Sequence, residues 1–173
     1  MPRSLAEGHR RVMILTEKPS NPAAPTTTEL NGGINGSAGV SAKILDSDWT
    51  FGATDSDKVA EKSLADVNNV NALGSSNLQA GMTIFREFDA STGAPDPTGD
   101  ALWTATSAKG TTLYVYERED GQLATDAVGS GDILTGMAVL TDEPQKPSDS
   151  GGYIKRRIPM EPQEYYGNSC TVA

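Results

Sequence analysis

The run Thr112-Leu113-Tyr114-Val115-Tyr116-Glu117-Arg118-Glu119 sets aliphatic against aromatic residues at strictly alternate positions. A period of two is that of a β-strand, whose successive side chains leave on opposite faces. The same signature recurs along the chain. Val12-Met13-Ile14-Leu15 is continuously apolar and reads as a strand covered on both faces. Residues 40–51 place Ile44, Leu45, Trp49 and Phe51 around Asp46 and Asp48, a strand with an acidic face. Residues 82–88 put Met82, Ile84 and Phe88 on one side and Phe85 on the other. Residues 133–140 are apolar on both faces, and residues 151–160 pair Ile154, Ile158 and Met160 against Tyr153, Lys155 and Arg157. Pro159 and Pro162 close that last run as an edge or terminal strand.

Between these runs the chain is polar. Residues 19–37, with Pro-Ala-Ala-Pro-Thr-Thr-Thr and Asn-Gly-Gly-Ile-Asn-Gly, read as an extended arm rather than a packed element. Residues 52–79 read as a long loop with one or two short strands. One helix is expected, over 97–109, with Asp96 as its N-cap, Pro97 at its first position and Gly110 as a left-handed C-cap. The expectation is a mainly β chain: an antiparallel β-sandwich or half-barrel flanked by one short helix. It forms one domain over 1–173. Residues 1–39 hold the first strand and the extended N-terminal arm, 40–160 the β core with loop 52–60 and the helix, and 161–173 a C-terminal arm.

Such a fold needs a core, and this chain has little to build one from. Only 31 of its 173 residues are Leu, Ile, Val or Phe, and its net charge is −9. A large-aliphatic share under roughly 20 % with high net charge is the composition of disorder. The strand-period placement of those few residues argues instead for a thin core completed by something else. The acidic balance, with a pI near 4.5, opposes a phosphate-gripping basic face. No run approaches the roughly 18 to 20 apolar residues of a membrane span. The first ten residues lack the apolar run of a signal peptide, so synthesis in a cytoplasm and no membrane partner are expected.

The motifs of catalysis are missing or scrambled. Lys109-Gly110-Thr111-Thr112 has the tail of a phosphate loop in the wrong order, and Gly129-Ser130-Gly131 fails as a nucleophile elbow. Asp46/Asp48 and Asp55/Asp57 lack the Gly and the distal Glu of a calcium loop. Asn35-Gly36-Ser37 reads as a tight turn, and Glu117 and Glu119 as an exposed strand face. Cys170 is the only cysteine and His9 the only histidine, so neither a disulfide nor a metal cluster can form within the chain. No enzyme activity, metal or cofactor is expected.

The strand 82–88, the loop Asp-Ala-Ser-Thr-Gly-Ala-Pro-Asp-Pro-Thr-Gly-Asp over 89–100, the following helix and the strand Thr112–Glu119 together resemble the centre of the tail tube (major tail) proteins of long-tailed, siphovirus-type bacteriophages, especially those of actinobacterial hosts. The resemblance extends to the Trp49 strand, the insertion after it and Gly-Tyr-Ile-Lys-Arg-Arg-Ile-Pro-Met, covering about residues 40–160. It rests on order, spacing and strand character. It implies a structural virion protein of the tail, whose homohexameric rings stack into the hollow tube that conducts DNA during ejection. It further implies that loop 52–60 reaches a neighbouring ring, with Asp55, Asp57, Lys58 and Glu61 as the assembly residues, and that the arm 19–36 lies across adjacent subunits. The partners implied are other copies of the chain, a tape measure protein in the lumen, tail tip and terminator proteins at the ends, and passing DNA without specific binding. Arg10, Arg11, Lys155, Arg156 and Arg157 then read as basic contacts to the acids of neighbouring subunits. Two other readings stay open: another non-enzymatic virion part, such as a head decoration or tail terminator protein, and a β-sandwich carbohydrate-binding module using Trp49, Trp103, Tyr114 or Tyr116.

Overall fold

A computed structural model describes residues 6–62, 64–65, 72–148 and 151–173. Ser63 and residues 66–71 of the expected insertion lie outside the described residues, as do residues 1–5 and 149–150.

The protein is mainly β, as the alternation predicts. Six strands form one antiparallel sheet in the order β1 (Arg10–Leu15), β6 (Thr112–Glu119), β7 (Ile133–Thr141), β8 (Lys155–Thr171), β5 (Leu78–Phe85) and β2 (Thr50–Ala53). Two short strands, β3 (Lys58–Val59) and β4 (Ala72–Leu73), pair separately as a hairpin between β2 and β5. The helices are α1 (Thr27–Asn31) and α2 (Ala101–Thr106).

Alternation sorts the core into two clusters, one on each face. Val12, Ile14, Leu113, Val115, Met137 and Val139 point to one face and meet Met82, Ile84, Ile158 and Met160 from the other half of the sheet. Met13, Leu15, Tyr116, Leu134 and Cys170 point the opposite way and meet Leu30 of α1 and Val128. Burying each such side chain fully stabilises by about 1.5–3 kcal/mol. β1, β6 and β7 are therefore covered on both faces. Gly136 makes room for this: a Cβ there would sit 2.6 Å from Cε1 of Tyr116, whose ring lies flat against β7.

The sheet curls into a half-barrel. Segment 34–49 runs from its β1 side to its β5 side: Ile34 and Val40 donate backbone hydrogen bonds to Ile14 and Val12, and Leu45 donates to Thr83. Trp49 then reaches across the concave face to β6, its Nε1–H donating to Glu117 Oε1 at 2.9 Å.

Four expectations are corrected. The strand expected over 40–51 is broken by two single-turn helices, Ser41–Lys43 and Asp46–Asp48, with Ile44, Leu45 and Trp49 extended between and after them and the paired strand starting only at Thr50. The arm 19–36 is no free arm. Thr26 and Glu29 form a capping box that starts α1, Leu30 is fully buried, and the Tyr116 hydroxyl donates to Pro22 O. The helix over 97–109 shrinks to Ala101–Thr106, because the Asp96 carboxylate accepts from Thr98 N and Gly99 N in a local turn. The C-terminal arm 161–173 is mostly strand: β8 runs through Pro159 and Pro162 to Thr171, and Cys170 and Val172 are buried. Both prolines are tolerated because β8 changes partner there, pairing with β5 up to Met160 and with β7 from Met160 onward.

Candidate assembly surfaces

Three features of the surface bear on what the chain can do. The first is strand edges. The outer side of β1 is occupied by the hydrogen bonds from residues 34 and 40. β2 is the other edge of the sheet, and among the described residues no strand pairs with its outer side. Among the described residues, 161–171 of β8 pair with β7 alone, because the pairing with β5 ends at Met160. Two lengths of backbone are thus left with one neighbour each, and such edges are templates for pairing with another chain.

The second feature is the β3–β4 hairpin. It stands off the sheet, every residue from Lys58 to Lys62 is exposed, and Val59 and Leu73 present apolar side chains to solvent. Of the expected assembly residues, Asp55, Lys58 and Glu61 make no ion pair with another described residue, and the Asp57 carboxylate accepts from Asn77 Nδ2 at 2.9 Å. All four lie on or beside β3, within residues 55–61.

The third is charge, and here the two expected basic contacts separate. Arg11 and Arg118 face each other on β1 and β6 and are both 0 % exposed. Like charges opposite each other repel, so something must neutralise them. The turn after β6 does so with carbonyls: Arg118 donates to Leu123 O at 2.9 Å, Asp126 O at 3.3 Å and Ala127 O at 3.3 Å, and Arg11 donates to Ala124 O at 2.9 Å and to Ser37 O. Asp132 pairs with Arg118 at 3.1 Å, and Asp120 lies 3.4 Å from its Nε. Burial, and then the charge of Arg118, lowers the Arg11 pKa from its ordinary value. Arg10 is tied within the chain to Glu119 at 3.4 Å and Asp46 at 3.8 Å. Arg11, fully buried, is therefore an internal fastener and not a surface contact, while Arg10 stays half-exposed at the end of β1.

Lys155, Arg156 and Arg157 lie on β8 where it pairs with β5. Lys155 and Arg157 share the face opposite the core and border a groove of ≈ 890 Å³ together with Lys146, Asp48 and Glu161. Arg156 points the other way and donates to the Lys155 carbonyl.

The remaining candidates for chemistry are structural. Trp49 stacks on Phe51 with centroids 5.3 Å apart, and Trp103 lies under the Arg86 guanidinium at 4.2 Å. Arg86 in turn makes a buried pair with Asp100 at 2.7 Å, fastening α2 to the end of β5. Tyr116 stacks on Tyr166 inside the second cluster. Glu117 is not the exposed acid expected: burial pushes its pKa up, and the Trp49 bond only partly offsets that. The Cys170 thiol is buried and its pKa is raised by that burial, so it is held in the unreactive protonated form. Among the described residues no group of three or more His, Cys, Asp or Glu is placed to hold a metal ion.

The surface is thus one of edges, a projecting hairpin and charge, all suited to contacts between chains. A search of curated proteins finds no match. The model of the family described as phage tail tube protein matches residues 1–173, the whole length, and the chain belongs to that family: it is a structural tail protein of a phage virion that assembles with itself into a tube.

Proposed function

We propose that six copies form a ring and that the rings stack into the hollow tail tube through which DNA leaves the virion, the whole chain acting as one tail tube domain. The observation that carries this reading is the pair of single-partnered strand stretches, β2 and residues 161–171 of β8. They flank β5, at the opposite side of the sheet from the fully covered β1. Closing such edges against other copies makes a continuous barrel, which removes the aggregation hazard of an open sheet. It also adds interface area to a chain with few aliphatic residues. The net charge of −9 suits a conduit through which a polyanion slides without sticking. The family suggests a non-enzymatic role, and the packed positions of Trp49, Trp103 and Tyr116 favour no carbohydrate platform. A tape measure protein inside the lumen, and tip and terminator proteins at the ends, complete the proposed partners.

Electron microscopy of the purified chain tests this directly. Stacked rings of sixfold symmetry around an open lumen are expected. Single rings that never stack would favour a tail terminator, and knobs on capsids a head decoration. Replacing residues 54–77 by a two-residue turn joins β2 to β5 as a plain hairpin. The shortened chain is expected to keep its circular dichroism spectrum and to lose long tubes, and long tubes from it would refute the role given to the insertion.

A further inference from the structure

One carboxylate lies inside the half-barrel with little to hold it in the charged form. Glu117 follows Val115 on the concave face of β6 and is half-buried there, and among the described residues its side chain accepts from one donor, Trp49 Nε1 at 2.9 Å. An ionised carboxylate offers about four lone-pair sites, and a carboxylate keeps its charge most readily where two or three donors meet it. Val12 and Thr135, which flank Glu117 on β1 and β7, bring no charge.

The charges around it are mostly of its own sign. Glu119 stands two residues on along the same face of β6, and Asp46 comes from the segment that carries Trp49. Arg10 of β1 is the cation among them, shared between Glu119 at 3.4 Å and Asp46 at 3.8 Å. Glu7 borders the hollow that also holds Arg10, Asp46 and Trp49. On its other side Glu117 borders a groove of ≈ 560 Å³ with Asp120 and Asp132, both turned to Arg118, and with Asn168 of β8. Burial raises the Glu117 pKa above its ordinary 4.5, Trp49 and Arg10 oppose that rise, and Glu119 adds to it.

The bond it makes joins distant parts of the curled sheet. Trp49 immediately precedes β2, the last strand in the sheet order, and stacks on Phe51 of that strand, whereas β6 is the second strand. We infer that the Trp49–Glu117 bond is a pH-responsive latch: protonated Glu117 holds the indole against β6 and closes the half-barrel at that rim, and ionised Glu117 turns to the water of the groove and releases the Trp49–Phe51 end of β2. Neutral Glu117 fits the site because its carbonyl oxygen accepts from the indole and it adds no charge to the acids around it. Ionised Glu117 finds one donor inside the half-barrel and many in the water of the groove. The latch lies within one chain, so it stands or falls apart from the ring.

Tryptophan fluorescence of the full chain tests it, with acrylamide quenching followed from about pH 4 to about pH 8. Quenching should rise about twofold in a single step as pH increases, since an indole freed from packing meets the quencher more often. Repeating the titration at two protein concentrations separates the latch, which is independent of concentration, from assembly, which is not. Two variants reach the bond from opposite sides. Glu117→Gln should hold quenching at its low value throughout, and Trp49→Phe, which leaves Trp103 as the reporter, should give a flat profile. Glu119→Gln removes a like charge and should keep the step while moving it to lower pH. A flat wild-type profile, or a step that survives Glu117→Gln or Trp49→Phe, would overturn the inference. So would a step lost in Glu119→Gln, which would place the titration on Glu119. The tube reading is untouched by any of these outcomes.

Discussion

Two clusters of adjacent cations on strands meet opposite fates in this sheet. At β1, Arg11 is sealed between α1-side packing and the turn after β6, and five backbone carbonyls divide themselves between it and Arg118. At the start of β8, Lys155 and Arg157 border an open groove on the outer face of the sheet. The difference lies in what surrounds the strand. β1 and β6 have residues 120–132 and 34–41 folded against them, whereas the outer face of β5 and β8 is covered only in part, by Leu45 and Asp48 at Thr83, and opens as a groove beside Arg157. Buried charge there organises a loop, and charge here borders solvent. The lesson is that basic residues of like appearance divide between internal fastening and open surface according to how many faces of their strand are covered.

The comparison breaks most sharply at Arg118. Arg118→Leu orphans three carbonyls and Asp132 and is expected to cost about 3–5 kcal/mol in denaturant unfolding. A cost under 1 kcal/mol would mean that the turn is held without it. Leu30→Ala probes the cover over the same half, and emptying a fully buried site should destabilise by about 2–5 kcal/mol. If residues 19–36 were a free arm, that change would leave the melt untouched. Thr26→Ala removes half the capping box and should cost about 1 kcal/mol. It should also show in titration. Backbone hydrogen bonds from Ser20 and Thr26 hold the Glu29 carboxyl down to about 2, below its ordinary 4.5. A depressed carboxyl supplies stability that is complete above the unfolded value and lost as pH falls from there towards 2. Carboxyl NMR should therefore find the Glu29 midpoint near 2 in the wild type and higher in Thr26→Ala. Glu117 has the opposite sign. Its raised pKa means that the folded chain loses stability as pH rises through the window between the ordinary and the raised value, so Glu117→Gln should stabilise slightly at neutral pH. Arg157→Ala, at the exposed end, should move unfolding by no more than about 0.5 kcal/mol.

Much of the sheet was legible in the residues. β1, β6 and β7 lie where alternation or a continuous apolar run puts them, because a half-aliphatic strand has only one way to sort its side chains, whereas β5 overlaps the expected 82–88 only in part, running from Leu78 to Phe85. The first helix was legible too, in Thr26, Glu29 and Leu30 spaced as a capping box before an apolar residue, but the prolines and glycines around it read as a free arm. Segment 40–51 misled for another reason. Its apolar residues are spaced like a strand, yet they serve as plugs at the rim of the half-barrel, each held by a single turn. The reach of β8 past Pro162 was hidden because a proline is forbidden only where its missing N–H is needed, and that depends on which neighbour lies on which side.

The candidate surface divides the same way. The polar segment that holds Asp55, Asp57, Lys58 and Glu61 was readable between two strands, while its reading as an assembly loop came from the family resemblance. The burial of Arg11, the commitment of Arg10 and the groove shared by Lys146 and Lys155 were not. By itself, the order of residues determined a mainly antiparallel sheet, an acidic and motif-poor chain, and a long polar insertion, because strand period, charge and the spacing of catalytic motifs are local properties. Only the tertiary structure decided which cations are buried and which are offered outward, because a charge's fate depends on groups brought to it from more than a hundred residues away, as Ala124 is to Arg11.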